Sequence, residues 1–405
     1  MTSLSRIRIG RTQPPAASPI PFKDVLRAFP PSLQNDVCEA LLVREIKQEF
    51  GQHFCLLVSS GKAALVLILR ALRKLHPAQD EVLIPAFTCY SVPSAIKKAG
   101  LKIRLCDTGA GSLDYDKEQL AKIIEKNRQD NRILCVLVTH LFGCPADFEG
   151  IKAIVGEKIP IVEDAAQAMG EETSNKKLGT LGDVGFFSLG RGKAISTMGG
   201  GVIITDRYDL GNELSCLSKN LERPTASDNI QLAIMAIFTI LMQYPAMFWL
   251  PKALPFLKLG ETIYDEEFPM GMMSSVQISL MHNWRERLQR HQKARKRNID
   301  FWQESLPQTI SPCCSKIKKV SLVRLPVLAS TAKDRDRFCQ KSDENGCGIM
   351  PAYPTAIHQV PQISGEFAGQ DFPNAKHLAE CLMTIPVHEY VQNSDRMKIL
   401  DILKQ

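Results

Sequence analysis

The sequence lacks the cysteine spacings of a zinc site or of a disulfide-stabilised secreted domain. Its 12 cysteines are irregularly placed, without a C-x-x-C pair or a cysteine–histidine cluster, so no metal site is predicted. The N-terminal segment is polar and proline-rich and lacks the apolar core of a signal peptide. We therefore expect reduced thiols, a cytoplasmic location and an extended N-terminal arm over residues 1–30.

Charge of one sign is not concentrated anywhere except in the basic stretch 285–297. The 405 residues include 50 Lys and Arg against 43 Asp and Glu, which gives a net charge of +7. This mild excess gives no case for a nucleic-acid partner, although it suits an anionic ligand. No internal repeat is visible. The length predicts two or three domains, and a hydrophobic fraction of 44% is enough for a large core.

Between about residues 38 and 205, apolar segments of strand length alternate with helical segments. The predicted strands are Phe54–Val58, Val82–Ile84, Ile103–Cys106, Leu134–Val138, Ile159–Val162 and Val202–Thr205, with helices such as Ala63–Leu75 and Asp116–Lys126 between them. This order predicts βαβ units and therefore an α/β fold with a mostly parallel central sheet. Ligands of such sheets bind at the carboxyl ends of the strands.

The pattern divides the chain into a large domain and a smaller one. We place the large, cofactor-binding domain at residues 31–272 and a smaller C-terminal α/β domain at residues 273–405. A long amphipathic helix from Val276 to Gln303 is predicted at the start of the second domain, and its basic run is typical of a solvated helix face.

One long hydrophobic run, within residues 228–260, interrupts the α/β pattern. It carries no formal charge from Ile230 to Leu250, but Gln243 and Pro245 leave a clean apolar part that is too short to span a bilayer. A buried helix or a subunit contact is the favoured interpretation. The alternative is a membrane-surface hairpin over residues 230–257 that meets a lipid-linked substrate, with peripheral membrane association of the protein.

Three features carry the candidate chemistry. Ser59–Lys62 joins a strand to a helix, where small residues expose backbone amides to an anion, although such loops are common. Asp164 ends an apolar strand, where a carboxylate either caps a helix or pairs with a ligand cation. Lys193 stands between two glycine-rich turns, five residues after Ser188. A loop lysine is usually a solvated surface residue, but one near apolar or cationic groups can lose its proton and form a Schiff base.

Together these features suit one cofactor. Pyridoxal phosphate needs an amine for its aldehyde, a carboxylate for its pyridine nitrogen and a cradle for its phosphate. Lys193 and Asp164 would supply the first two, and Ser60, Gly61 and Ser188 the third. The conjunction is more specific than any one of its parts.

Segments throughout the chain resemble the motifs of the DegT-type sugar aminotransferases (DegT/DnrJ/StrS), which are fold type I pyridoxal-phosphate enzymes. The matching segments are SSGKAAL, VLIPAFTCYSVPSAIKKAG, THLFGCPAD, VEDAAQAMG, GDVGFFSLGRGKAISTMGGG, PTAIHQVP and FPNAKHLAECLMTIPVH. Their order and spacing agree with those of the family. The resemblance implies the two-domain α/β architecture of that fold type and a homodimer with its site near the subunit interface.

The resemblance also implies roles for individual residues. Lys193 would form the Schiff base and act as general acid and base, and Asp164 would keep the pyridine nitrogen protonated. Gln167 would lie near the ring's phenolic oxygen. The phosphate would be bound by the Ser188 hydroxyl and by the turn residues, that is, by Ser60 and the backbone amides of Gly61 and Lys62.

Other positions depart from the family or leave alternatives open. The aromatic residue that stacks on the cofactor falls at Cys89, so either the neighbouring Tyr90 stacks or the ring is held differently. His358 falls in the segment that approaches the sugar, or is a surface-loop histidine, and His140 is expected to have a structural role. The family's N-x-R-M segment aligns with residues 270–273, which have lost both of its polar side chains.

The resemblance implies an enzyme that moves an amino group, by resemblance from glutamate, to a keto group of a nucleotide-linked sugar, as in polysaccharide biosynthesis. Related dehydratases carry histidine in place of the lysine, so Lys193 argues against that variant. Two alternatives remain: an enzyme acting on another keto acceptor, possibly lipid-linked, and a non-catalytic regulatory homologue that binds the cofactor.

Overall fold

A seven-stranded sheet organises the larger part of the protein. The computed structural model describes residues 8–27, 36–254, 262–314 and 320–405. The sheet has the order β1-β9-β8-β5-β4-β2-β3. Its strands are β1 (Phe54–Val58), β2 (Glu81–Pro85), β3 (Lys102–Cys106), β4 (Ile133–Thr139), β5 (Ile161–Asp164), β8 (Val184–Ser188) and β9 (Gly201–Thr205), and the hairpin β6 (Glu172–Thr173) and β7 (Lys176–Lys177) lies outside it. All six predicted strands are confirmed, and β8 is a seventh that the sequence analysis did not identify.

The sheet is mostly parallel, as predicted. Only β9 runs against its neighbours, pairing antiparallel with both β1 and β8. The strands that run parallel therefore end at one edge of the sheet, which is where Asp164 and Ser188 lie at the ends of β5 and β8. This edge is the expected place for a ligand site.

Helices pack against this sheet and against one another. They are α1 (Phe22–Arg27), α2 (Asp36–Phe50), α3 (Gly61–Leu75), α4 (Ser91–Lys98), α5 (Lys117–Asp130), α6 (Phe148–Val155), α7 (Tyr208–Ser218), α8 (Ala226–Met242), α9 (Trp249–Lys252) and α10 (Ser275–Ser279). The predicted helix Ala63–Leu75 is confirmed as α3, whose apolar residues from Ala63 to Leu69 are all buried. A helix that is apolar around its whole circumference is stable only inside a core.

The apolar run contains α8, which is buried on one side only. Ala233, Ala236 and Ile240 pack towards α1 and α10. The opposite side exposes a stripe of apolar side chains, namely Ile230, Ile234, Met235, Phe238 and Leu241. Across the described ranges no helix combines the length and apolarity needed to cross a membrane. Residues 255–261, at the end of this run, lie outside the described residues.

The single long helix predicted from Val276 to Gln303 is wrong. The chain forms α10 and then α11 (Trp284–Ser305), separated by a turn in which Asn283 adopts a left-handed φ of 52°. The solvated basic face is also partly wrong, because Arg287 and Arg295 of α11 are only 4% and 2% exposed. Both arginines donate hydrogen bonds to backbone carbonyls, which their long side chains reach from the helix surface.

A second, antiparallel sheet of order β10-β11-β13-β12 follows. It contains β10 (Ile310–Pro312), β11 (Leu325–Ala329), β12 (Met350–Pro351) and β13 (Leu382–Ile385). Helices α12 (Ala332–Asn345) and α13 (Pro373–Cys381) pack on this sheet, and α14 (Asn393–Leu403) packs on α12. The N-terminal arm runs between this part and the first. Its Thr12 amide donates to Pro245 O, and Arg11 pairs with Asp395 at 2.8 Å.

Candidate active site

A cavity of about 220 Å³ lies at the carboxyl edge of the large sheet. Eight of the ten residues predicted for the site line it: Ser60, Gly61, Lys62, Cys89, Asp164, Gln167, Ser188 and Lys193. The aromatic rings in its wall are Phe186 and Tyr353. Segments far apart in sequence therefore meet around one space, as the shared-cofactor hypothesis requires.

The turn before α3 forms one end of the cavity. Ser60 is the N-cap of α3, and its hydroxyl accepts a hydrogen bond from the Ala63 amide at 3.1 Å. Gly61 packs so closely on Ser188 that a Cβ at position 61 would lie 2.8 Å from the Ser188 Cβ. The first amides of a helix have no acceptor within the helix. This end therefore offers backbone N–H groups and a serine hydroxyl to an anion.

Asp164 stands at the end of β5 and is only 6% exposed. Its Oδ1 accepts a hydrogen bond from the Ala166 amide at 3.1 Å, within a turn rather than at the start of a helix. Burial raises the pKa of this carboxyl group, partly offset by the Ala166 hydrogen bond and by the charge of Lys193. A buried carboxylate with so little compensation favours a cationic partner in the cavity.

Lys193 lies on the loop between β8 and β9. Burial lowers the pKa of its ammonium group, and the neighbouring Cys89 and Asp164 partly offset that effect. A lysine in this setting can be neutral, and therefore nucleophilic, at a lower pH than a surface lysine.

The backbone of the lysine loop is held from behind by two residues that the sequence analysis missed. Arg295 donates to Lys193 O at 3.1 Å and to Ala194 O at 3.0 Å. Ser18, from the N-terminal arm, also donates to Lys193 O and accepts a hydrogen bond from Arg295 at 2.9 Å. Both residues lie far from Lys193 in sequence, in segments without a recognisable motif, so no local sequence pattern predicted their contact with the lysine loop.

Lys62 and Cys89 lie beside each other in the wall. Lys62 Nζ lies 4.1 Å from the centroid of the Phe268 ring and 3.9 Å from Asp265 Oδ2. Burial lowers the pKa of Lys62, against the attraction of Asp265. The Cys89 thiol lies 2.8 Å from Ser91 Oγ. The lysine thus adds a positive charge next to the turn where the family pattern has a threonine.

Gln167 and His140 occupy the wall nearest Asp164. The side-chain oxygen of Gln167 accepts a hydrogen bond from the Phe142 amide at 2.6 Å. His140 is fully buried, with Nε2 2.9 Å from Glu163 Oε2 and Nδ1 accepting from the Ala146 amide. Because both of its ring nitrogens are engaged, the geometry of His140 fits the structural role expected for it.

Tyr90 and His358 are not among the residues that line the cavity. Tyr90 is buried, and its hydroxyl lies 2.6 Å from Thr355 Oγ1. His358 packs its ring on Phe372 at 5.1 Å, and burial lowers the pKa of its imidazole. The structure therefore does not bring these two residues together with the other eight.

Residues 270–273, which replace the family's polar segment, run along the turn before α3. Met272 forms a bridge with Val58, and the Gly271 amide donates to Ser59 Oγ at 3.1 Å. The Ser59 amide also donates to Gly271 O at 2.8 Å, so the segment supports the Ser59–Lys62 turn of its own chain through both the backbone and the side chain of Ser59.

A larger groove of about 720 Å³ lies elsewhere, lined by residues that include Arg128, Ile133 and Pro160. Ile133 and Pro160 stand at the amino ends of β4 and β5, and Arg128 lies in the last turn of α5. Ligands of open α/β sheets bind at the opposite edge. The smaller cavity around Lys193 is therefore the candidate active site.

Comparisons with known proteins identify the family and the fold. The model of the DegT/DnrJ/EryC1/StrS aminotransferase family matches residues 39–237 and 264–404. The chain is 31% identical over 179 residues to a GDP-4-keto-6-deoxy-D-mannose 3-dehydratase of Yersinia pseudotuberculosis, which is 43% of this chain and 44% of that protein. It is 28% identical over 205 residues to an L-glutamine:2-deoxy-scyllo-inosose aminotransferase of Streptomyces fradiae, 49% of this chain and 47% of that one. The matches thus span a little under half the length of these curated relatives.

The fold is shared over almost the whole chain. The structure of an Escherichia coli GDP-4-keto-6-deoxy-D-mannose-3-dehydratase with bound hydrated pyridoxal phosphate superposes with a TM-score of 0.75. The match covers 98% of this chain and 100% of that one at 18% identity. The predicted fold type, with its large and mostly parallel sheet, is confirmed.

Proposed function

The chain belongs to the DegT/DnrJ/EryC1/StrS aminotransferase family, and we propose that it is a pyridoxal-phosphate-dependent aminotransferase for a keto group of a nucleotide-linked sugar. The observation that carries the proposal is the meeting of Lys193, Asp164 and the Ser60–Gly61 turn around one cavity. Lys193 offers an amine for the cofactor's aldehyde, Asp164 offers a carboxylate for its ring nitrogen, and the turn offers a cradle for its phosphate.

The residues present fit the cofactor. Asp164 is a buried carboxylate whose pKa is raised by burial, so the protonated ring nitrogen would supply the positive partner that it lacks. Gly61 brings the turn and the Ser188 hydroxyl so close together that a side chain at position 61 would collide with Ser188, so both can meet one anion. Lys62 would add a positive charge beside the phosphate.

Pyridoxal phosphate, when bound, supplies an aldehyde that condenses with amines and a ring that withdraws electrons from the amine-bearing carbon. Lys193 Nζ would accept the proton from the Cα of the amino donor and, in the second half-reaction, deliver a proton to the former keto carbon of the acceptor. Asp164 would keep the ring nitrogen protonated throughout. Arg295 and Ser18 would fix the backbone from which Lys193 reaches both positions.

A sugar 3-dehydratase is the second candidate, because the Yersinia pseudotuberculosis relative is named as one. Lys193 argues for amino transfer, since by resemblance the dehydratases carry histidine at this position. The two reactions differ in product mass, because one exchanges a keto oxygen for an amine and the other removes a hydroxyl group.

We expect the purified protein to develop a visible absorption band with pyridoxal phosphate, and glutamate or glutamine to bleach it. Addition of GDP-4-keto-6-deoxy-D-mannose as a test acceptor should restore the band and give an amino sugar in the mass spectrum. A band that neither amino acid bleaches would support the non-catalytic alternative. A sugar that loses water without gaining nitrogen would support the dehydratase.

We also propose that the protein is a homodimer and that the exposed stripe of α8 lies in a contact between its two copies. A helix that is apolar on every side is stable when both sides are covered. Helices that lie on a membrane surface are rich in Lys and Arg on their polar face, whereas residues 224–251 contain neither. The stripe therefore suits a second protein surface better than an anionic lipid surface.

Phe238→Glu is expected to convert this dimer to monomers, because it would bury a charge at the centre of the stripe. Sedimentation velocity should show an increase in the dimer dissociation constant of at least about 30-fold. Ser227→Glu, which adds the same charge at an exposed position before the stripe, is the matched control and should remain dimeric. A monomeric wild type would contradict the proposal. Flotation of the wild type with anionic vesicles would contradict it too and would favour the membrane alternative.

A further inference from the structure

The N-terminal arm is packed into the protein rather than lying on its surface. Thr12, Gln13, Ala17 and Ser18 are each at most 2% exposed. The first residues of a domain are usually poorly ordered unless other contacts hold them in place. The family match begins at residue 39 and therefore does not account for the contacts that bury the arm.

The strap, which we define as residues 11–18, is anchored at its first end on the C-terminal domain. Gln13 Nε2 donates to Asp395 Oδ2 at 2.8 Å. His388 donates from Nε2 to the carbonyl oxygen of Pro14, also at 2.8 Å. Since Asp395 belongs to α14 and His388 to the loop before it, this end of the strap is held by the last part of the chain.

The other end of the strap lies against the lysine loop. The Ser18 hydroxyl donates to Lys193 O, and the same carbonyl accepts a hydrogen bond from Arg295 at 3.1 Å. Arg295 also donates to the Ser18 hydroxyl at 2.9 Å, so the three groups form a closed set of hydrogen bonds. A Cβ at Gly192 would lie only 3.0 Å from the Ala16 Cβ, so the strap and the loop are in close contact.

The lysine loop needs outside contacts of this kind because it has little regular structure of its own. Residues 189–199, all within the described part of the chain, form neither helix nor strand and include three glycines. Glycine gives the backbone more conformational freedom than any other residue. Misplacement of a reacting group by about 1 Å can lower a rate about 100-fold. A lysine on this loop can therefore act efficiently only if its backbone is fixed.

We propose that the strap fixes Lys193 in its reactive position, with Ser18 as a positioning residue that acts through the Lys193 carbonyl. The inference rests on the proposed function, because it assigns the strap a task in that reaction. The Ser18 hydroxyl contacts the backbone of the lysine, so the strap sets where the amine lies without touching a substrate. Because the first end of the strap is anchored on Asp395 and His388, the position of Lys193 depends on residues that do not line the cavity.

The first test measures Lys193 in the cofactor-free protein. Cyanate adds to neutral amines, and mass spectrometry of the peptide that contains Lys193 follows this labelling against pH. In the wild type, burial lowers the pKa of Lys193, and Cys89, Asp164 and Arg324 act on its charge. These three residues are unchanged in the variants. Ser18→Ala should free the loop and let the amine reach solvent, so the pH of half-maximal labelling should rise by about 0.5 to 1 unit. An unchanged labelling profile would overturn the inference.

The matched control is Thr205→Val. It removes another buried hydroxyl that donates to a backbone carbonyl, that of Asp183 at 2.6 Å, at the far end of β9. It should leave the labelling of Lys193 and the turnover unchanged, whatever it does to thermal stability. A shift as large as that of Ser18→Ala would overturn the inference, because loss of any buried hydroxyl would then have the same effect.

Gln13→Met tests whether the strap acts as one unit. It removes the donor at the first end of the strap and should shift the labelling profile in the same direction as Ser18→Ala. In the double variant the shift should stay close to that of Ser18→Ala alone, because both contacts act through the same strap. A Gln13→Met protein that is labelled like the wild type would contradict the strap.

Turnover separates a positioning role from a purely structural one. Ser18→Ala should lower kcat about 10- to 100-fold and change the KM for glutamate by less than about threefold. A less stable Ser18→Ala protein with the kcat of the wild type would overturn the inference. Labelling needs neither cofactor nor substrate, so it also separates the two proposals. The expected shift in labelling, together with a wild type that transfers no amino group, would support the strap and overturn the proposed function alone.

Discussion

Lys193→Ala is expected to abolish amino transfer and the donor-sensitive visible band. The lysine carries two roles in the proposed reaction, since its amine would hold the cofactor between turnovers and would then move the proton at the donor Cα. General acid–base catalysis alone contributes about 100- to 10,000-fold to a rate, so we expect turnover to fall at least about 1,000-fold. Stopped-flow absorption with glutamate and mass spectrometry of the sugar product measure both roles.

The controls for this variant separate chemistry from folding. Lys176→Ala removes an equally long cation from the exposed β7 strand and should retain full activity. Added methylamine, which is small enough to enter the space left by the side chain, should restore part of the proton transfer in Lys193→Ala. Turnover within about threefold of wild type would contradict the mechanism, because an efficient catalyst cannot lose its general base and keep its rate.

The sequence predicted most of the large sheet because its strands are short, apolar and separated by helices. The central strands β2 and β4 are buried along their whole length, so their apolar composition alone identifies them as strands. Strand β8 was missed because its residues, VGFFS, lie within a segment that was recognised for its glycines and its lysine and was not assigned to a strand. The helix from 276 to 303 was predicted as continuous because Asn283, which breaks it, leaves the helical periodicity of its neighbours unchanged.

The site was predictable where its residues belong to local motifs and not where they come from distant packing. Asp164, Ser188 and the turn before α3 stand at the ends of strands, where period and composition change together. Arg295 and Ser18 reach the Lys193 carbonyl only because α11 and the N-terminal arm pack against the lysine loop. Long-range contacts of this kind leave no trace in a window of neighbouring residues. Even the burial of Arg295 contradicts the ordinary expectation for a basic helix face.

Asp164→Asn is expected to lower turnover while making the cofactor-free protein more stable at neutral pH. Asparagine has the shape of aspartate and can still accept the hydrogen bond from the Ala166 amide, so the turn is preserved. It cannot carry the negative charge that would keep the ring nitrogen protonated. Loss of one preorganised electrostatic interaction at a reacting group typically costs about 100- to 1,000-fold in kcat, and we expect a loss of that order.

The stability of the same variant depends on pH in a direction that follows from the pKa of Asp164. Burial raises that pKa in the folded protein above its value in the unfolded chain. The unfolded chain therefore ionises first as the pH rises, and the wild type loses stability relative to Asp164→Asn above the unfolded value of about 3.9. Chemical denaturation of both cofactor-free proteins at acid and neutral pH measures this: the curves should approach each other in acid, and the variant should be more stable at neutral pH.

Bound cofactor should reverse this order, because the ring nitrogen would give the carboxylate its missing cationic partner. In the presence of pyridoxal phosphate we expect the wild type to gain more stability than Asp164→Asn, in proportion to its tighter binding. A variant that is less stable than wild type in both states would instead assign Asp164 a structural role in its turn. Opposite signs of the stability difference in the two states are hard to obtain from a purely structural residue, since such a residue does not distinguish the empty cavity from the filled one.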